Sequence, residues 1–291
     1  MPVPTLLIVG CGDIGCRVLK LLHGRWHPLA LTRSPEQRAA LRALGARPLL
    51  GDLDAPATLG RLGGLADAVL HLAPPPAAGA DDPRTRALVR ALARGGRVRS
   101  LVYASTSGVY GDCGGARVAE TRPIAPATER ARRRADAEAQ LRAYGRRCGV
   151  RVGILRIPGI YAPDRVGGDP RERVRRGSPA LVAAEDVHTS HIHADDLARA
   201  CIAALARIAP QRLINVCDDG RLPMGDHFDL VADLAHLPRP PRVTRAEAAM
   251  QLSPLSLSFL GESRRLVNER MKRELRLALR FPTVAACRFD S

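Results

Sequence analysis

Lysine is nearly missing from this chain: Lys20 and Lys272 are the two lysines among 45 basic residues, leaving 43 arginines. Against 29 acidic residues the formal net charge is +16. So lopsided an arginine share reads as compositional bias rather than a designed polycationic surface. Aromatic residues are scarce too, at 3%, which leaves little with which to stack nucleic-acid bases. Charge alone keeps nucleic-acid binding open, but the arginines are scattered and their densest cluster, Arg130 to Arg134, is short. Nucleic acid is therefore a minority reading. No window approaches about eighteen consecutive apolar residues, which argues against a membrane-spanning helix. The first residues show neither a basic start nor a small-residue cleavage site, and read as a buried strand rather than a secretory signal. The seven cysteines form no C-x-x-C pair and no zinc spacing. Buried free thiols in a reducing cytoplasm, with no metal site, are the expectation.

What is present suits a packed globular chain. Of 291 residues, 46% are hydrophobic, with unremarkable Gly 26 and Pro 23; that allows one large domain or two modest ones. The first half alternates apolar runs with helical spacing. Strands are predicted at Thr5–Val9, His27–Leu31, Arg47–Leu50, Ala66–Leu72, Val98–Ala104 and Val150–Leu155. Helices are predicted from Ile14 to Leu22, after Ser34 as an N-cap, from about Pro83 to Arg94, and from about Pro126 to Cys148. That alternation implies a parallel sheet with helices on both faces. After Arg156 the texture is irregular between Pro158 and Pro170. A helix is expected over His193–Ala206, a short strand over Leu213–Val216, and helix in the remainder, ending in the polar stretch Glu262–Arg276. Residues 1–156 thus read as a nucleotide-binding domain and 157–291 as a smaller lobe, partly interleaved with it.

Gly10-Cys11-Gly12-Asp13-Ile14-Gly15 is a G-x-G-x-x-G placed directly after the first strand and opening the first helix. In that context Gly10 permits a tight turn, Gly12 lets a pyrophosphate approach the backbone, and Gly15 lets helix pack on strand. The helix N-terminus offers amide hydrogens and a positive dipole end to phosphates. A dinucleotide is implied. An NAD site usually carries an acid at the end of the second strand; here the chain reads Leu31-Thr32-Arg33-Ser34. Arg33 can fork onto a 2′-phosphate, Ser34 can add a hydrogen bond, and Arg38 lies one helical turn on. NADP(H) is favoured over NAD(H).

Tyr103-Ala104-Ser105-Thr106-Ser107-Gly108-Val109-Tyr110-Gly111 resembles the SS-x-x-VYG segment of the extended and atypical short-chain dehydrogenase/reductases. The likeness continues through Gly51-Asp52-Leu53, Ala137-Glu138, the Leu155–Pro163 segment and His191–Ala198. Within that superfamily the chain most resembles bacterial proteins of the NAD-dependent epimerase/dehydratase type. The resemblance implies a Rossmann doubly wound sheet with a C-terminal substrate lobe. It places Asp52 and Leu53 by the adenine, and Leu72, Ala73 and Pro74 along ribose and diphosphate. Pro158 and Ile160 would lie near the nicotinamide, and Thr106 would bind a substrate oxygen and also border the cofactor. Dimerisation through the long helices flanking the sheet is common in the superfamily, so a homodimer is compatible with the likeness.

One departure from the family pattern bears on chemistry. The family's long helix carries Y-x-x-x-K, and counting back from Glu138 those positions hold Arg130 and Arg134. Arginine stays charged and cannot replace tyrosine as a general acid or base near neutral pH. The two arginines either bind an anionic substrate or face solvent with Arg132 and Arg133, the latter slightly preferred. Tyr110, Tyr161, His188, His191 and His193 are the remaining proton-donor candidates. Two functions compete: an oxidoreductase or epimerase acting on a small hydroxyl- or carbonyl-bearing substrate, and a non-catalytic NADP-binding sensor.

Overall fold

The computed structural model describes residues 2–22 and 24–289. Its first half runs β1 (Thr5–Val9), α1 (Asp13–Leu21), β2 (His27–Thr32), α2 (Gln37–Ala43), β3 (Arg47–Leu50), β4 (Ala68–His71), α3 (Pro83–Ala93), β5 (Ser100–Thr106), β6 (Arg117–Val118), α4 (Glu129–Cys148) and β7 (Arg151–Ile157). Then follow β8 (Gly159–Tyr161), α5 (Pro170–Arg175), β9 (Ala180–Leu181), β10 (His191–His193), α6 (Ala194–Arg207), β11 (Arg212–Asn215), α7 (Met224–Leu234), β12 (Arg242–Val243), α8 (Arg245–Gln251), α9 (Pro254–Leu260), β13 (Arg265–Leu266) and α10 (Glu269–Leu275).

Seven strands form one wholly parallel sheet in the order β11-β7-β5-β4-β1-β2-β3. Because both faces of such a sheet are covered, its central strands read as unbroken apolar runs; Leu6, Leu7, Ile8 and Val9 are fully buried. Residues of α1, α6 and α10 pack on one face, and residues of α3 and α4 on the other. The fold is Rossmann-like, α/β. The strand order reverses between β1 and β4, which opens a crevice at their carboxyl ends.

Several local expectations need correction. Ser34 caps no helix: α2 starts at Gln37 without a side-chain cap, and the Ser34 hydroxyl is spent on the Glu36 carboxylate. The long helix starts at Glu129 rather than Pro126, because the Thr128 hydroxyl accepts the Ala131 amide. The segment after Pro158 is not simply irregular, since β8 pairs in parallel with β10. Nor is the last part wholly helical. Arg265–Leu266 pairs with Arg117–Val118, and Arg242–Val243 with Ala180–Leu181. The seven cysteines are free, but Cys148 is exposed and Cys11 and Cys16 are only half-buried. No described helix is long and apolar enough to cross a membrane.

Candidate functional site

At the crevice the three glycines of the first turn do three different jobs. Gly10 has a φ of +86°, and a Cβ there would lie 2.4 Å from the Ala73 amide nitrogen. The chains leaving β1 and β4 therefore cross in near contact, tied by Leu72 and Ala73 amides to the Val9 carbonyl at 2.8 and 3.0 Å. A Cβ on Gly15 would press on the Cys11 sulfur at 2.9 Å, so this glycine sets how closely helix and strand pack. Gly12 has nothing within 4 Å of its absent Cβ. It faces open space, and α1 begins there with no side-chain cap, leaving the first amides of the helix to an incoming anion.

That space is a cavity of about 910 Å³. Its walls bring together most residues singled out in the sequence. Gly10, Cys11, Gly12, Asp13 and Ile14 come from the turn; Arg33 and Ser34 follow β2; Asp52 and Leu53 follow β3; Leu72, Ala73 and Pro74 follow β4. Thr106 stands at the end of β5, and Pro158 and Ile160 follow β7. Gly15 lies behind the wall as a packing residue. Arg38 lines a neighbouring groove of about 610 Å³ with Arg42, Arg47 and Arg61 instead. Cys11 lines the wall, its thiol pushed up to about 12 by burial and by Cys16.

The end of the cavity around Thr106 rests on charge. Arg134 does not face solvent: its Nη1 donates to the Ala104 carbonyl at 2.7 Å and to the Tyr103 hydroxyl at 3.0 Å, and the side chain lines the cavity. Arg133 is buried as well and donates to the Gly79 carbonyl. The expected solvated face thus holds for Arg132 and Arg130, and Arg130 lies outside the cavity wall, exposed, with its guanidinium 4.7 Å from the centroid of Phe259. Thr106 accepts the Gly108 amide at 3.2 Å, which leaves its own hydroxyl hydrogen free to donate. Beneath it, Ser105 donates to Glu138 at 2.6 Å, and Arg156 grips the same carboxylate at 3.1 and 2.7 Å. Arg156 lies over the ring of Tyr110, whose hydroxyl donates to Asn215 at 2.8 Å. This buried pair holds the ends of β5 and β7 against α4.

None of the proton-donor candidates named from sequence is in the cavity wall. Tyr110 is committed to Asn215. His193 caps α6 by accepting the Asp195 amide. His191 stacks on His227 with centroids 4.1 Å apart, and burial pushes it down to about 4. Tyr161 packs edge-on against His191 and His193. Sequence reasoning also missed Ser105, Gln37, Arg84 and Arg165, all in the wall. Arg84 is fixed by Asp54 at 2.6 and 2.7 Å and holds that carboxyl below its usual range. Nothing local marks one arginine among 43 as inward-facing; only the fold does.

Comparison with known proteins places this arrangement. Residues 6–217 match the model of the NAD dependent epimerase/dehydratase family. A functionally unknown conserved protein from Silicibacter pomeroyi is 33% identical, with 96% of this chain and 95% of that one covered and a TM-score of 0.80. UDP-glucuronic acid 4-epimerase from Bacillus cereus, solved with NAD, shares the fold at 18% identity, 97% and 94% coverage and a TM-score of 0.73. UDP-glucose 4-epimerase from Thermotoga maritima, solved with UDP-glucose, does so at 18% identity, 94% and 93% coverage and 0.74. No curated protein matches.

Proposed function

Because this chain belongs to the NAD-dependent epimerase/dehydratase family, we propose that it binds NADP(H) in the crevice and acts on a small hydroxyl- or carbonyl-bearing substrate with an acidic group. The observation that carries the reading is one continuous cavity running from the glycine turn to Thr106 and Arg134. The residues fit the cofactor. Gly12 leaves the room that a diphosphate needs, and α1 starts uncapped beside it. The stretch leaving β2 offers a guanidinium and a hydroxyl, from Arg33 and Ser34, suited to a 2′-phosphate. When bound, the dinucleotide supplies the hydride chemistry.

The chain's own residues do the rest. Thr106 donates its free hydroxyl hydrogen to the substrate oxygen and so orients it. Arg134 has donors left over after Tyr103 and Ala104 and pairs with the substrate's acidic group. In this reading residues 1–156 hold the cofactor, and 157–291 close over the substrate while lending β11 and α6 to the sheet and its cover. One observation favours the alternative of a non-catalytic NADP sensor: among the described residues no tyrosine or histidine lines the cavity. The test is calorimetry with NADPH and NADH, then a screen of carboxylate- and phosphate-bearing carbonyl compounds for NADPH oxidation. Thr106→Val is expected to cut turnover on any hit roughly ten- to hundredfold, as for a lost orienting hydrogen bond, with NADPH affinity unchanged. NADPH binding without turnover across the screen hands the site to the sensor reading.

A further inference from the structure

Between β8 and α5 the chain folds into a small closed loop, residues 162–169. The Ala162 amide donates to the Gly168 carbonyl at 3.2 Å, and the Gly168 and Asp169 amides return to the Arg165 carbonyl at 2.9 and 3.0 Å. Arg165 sits so tightly under this loop that a Cβ on Gly168 would lie 2.4 Å from its Nη1. From there the side chain reaches across to the first half of the molecule. Its Nε donates to Asp13 Oδ2 at 3.0 Å, its Nη1 reaches the Ile160 carbonyl at 3.4 Å, and it lines the cavity. A guanidinium has five N–H donors, and the rest have no protein acceptor among the described residues.

Asp13 is the first residue of α1, where the helix dipole and free amides favour an anion. Its carboxylate lines the cavity at the same helix end to which a diphosphate would be drawn. Its other oxygen is held independently, by Arg17 Nε at 3.0 Å. The same Arg17 holds Asp164 of the loop at 2.6 Å and Asp195 of α6 at 2.5 Å. If Arg165 leaves Asp13, neither the carboxylate nor the loop is left without a cation.

We propose that Arg165 is a clamp for the cofactor's diphosphate, held in readiness over the glycine turn by Asp13, which the diphosphate displaces. This rests on the dinucleotide reading above. A diphosphate offers paired oxygens that match the guanidinium fork, with more charge than one carboxylate. Because Asp13 keeps the arginine in place beforehand, little side-chain freedom is lost on capture. The loop then couples the cofactor end to β8 and to Ile160, so that cofactor binding stiffens the wall of the second lobe.

Calorimetric titration of NADPH into the parent protein and three variants decides the matter, with thermal melting of each in the absence of cofactor. Arg165→Ala is expected to weaken NADPH at least tenfold, with Arg165→Lys recovering part of the loss. Asp13→Asn, which removes the competing anion, is expected to tighten NADPH about threefold. The opposite signs are the signature of displacement. Arg165→Ala binding as tightly as the parent overturns the clamp and leaves the cofactor assignment standing. So does a parallel weakening in Asp13→Asn, which would make the pair a brace for the loop. A parent protein that binds neither NADPH nor NADH overturns the dinucleotide reading itself.

Discussion

The two ends of the cavity are made of different material. Around the glycine turn the walls are mostly backbone and small apolar side chains beside the Asp13–Arg165 pair, and the room there depends on a Cβ that is missing at Gly12 and one that cannot exist at Gly10. Around Thr106 the walls stand on a buried ion pair, Glu138 with Arg156, both about 4% exposed or less. Removing bulk makes room for a large anion at little electrostatic cost, because helix amides supply a positive field to which Arg165 only adds. Fixing the position of a small polar substrate instead needs rigid polar groups, and these must be paired once buried. The first end tolerates no added atoms; the second tolerates no missing partner.

The sharpest way to break that contrast is to unpair the Thr106 end. Glu138→Ala leaves Arg156 and Ser105 without their acceptor inside the protein and is expected to cost about 3–5 kcal/mol of stability. Urea denaturation measures it. Replacing both members, as in Glu138→Leu with Arg156→Met, is expected to recover much of the loss, because no lone charge remains. A single variant as stable as the parent would mean that water reaches the pair. At the glycine-turn end the contrast lies between glycines two residues apart. Gly12→Val is expected to weaken NADPH at least a hundredfold, as its methyls fill the diphosphate's approach, while circular dichroism and melting stay near those of the parent. Gly10→Ala must fail in the other way, through folding, since its Cβ meets backbone at 2.4 Å in a left-handed conformation. If Gly12→Val unfolds the protein, the open space there belongs to packing and not to a ligand.

Next in size is the choice of cofactor. Arg33 is exposed at the mouth of the cavity, and a charge-assisted contact from it is worth about 1.5–3 kcal/mol. Arg33→Ala is therefore expected to erase most of the preference for NADPH over NADH in paired titrations. Equal affinities in the parent would remove the reason for assigning Arg33 to a 2′-phosphate.

The same contrast explains what could be read from the amino-acid order. The glycine turn and β1 to β5 announce themselves because their causes are local: short runs rich in apolar residues and a turn motif, whereas the Thr128 cap that sets the start of the long helix does not stand out beside Pro126. The Thr106 end is made by distant pairing. Gly159–Tyr161 becomes a strand only because His191–His193 lies beside it, and Arg117–Val118 only because of Arg265–Leu266. Two-residue strands have no period to detect. Arg130 and Arg134 share a helix face at one-turn spacing, yet one reaches the cavity and the other stacks outside on Phe259. That difference is decided by Tyr103 and Ala104 below and by Phe259 beyond, contacts that an arginine-rich helix does not disclose.

The smallest expected effect concerns acid. His191 sits against Gly159, where a Cβ would lie 3.1 Å from its ring, and stacks on His227. Burial pushes His191 down to about 4 and His227 well below the usual histidine range. An unfolded histidine takes up its proton near pH 6.5. As pH falls from about 6.5 to about 4, the unfolded chain binds protons that the folded chain refuses, and stability drops by at most about 1.4 kcal/mol per pH unit for each such group. Asp218 works against this. Its amide donates to the His191 carbonyl at 2.7 Å, and burial raises its carboxyl to about 7. Between pH 7 and about 4 the folded state therefore holds a proton that the unfolded state gives up, and stability rises as pH falls. The two tendencies oppose each other in the parent. Asp218→Asn is expected to expose the histidines, steepening the loss of stability in urea titrations between pH 6.5 and 4.5, whereas His191→Phe flattens it. Slopes in Asp218→Asn that match the parent's would show that this carboxyl titrates in its ordinary range and that water reaches it.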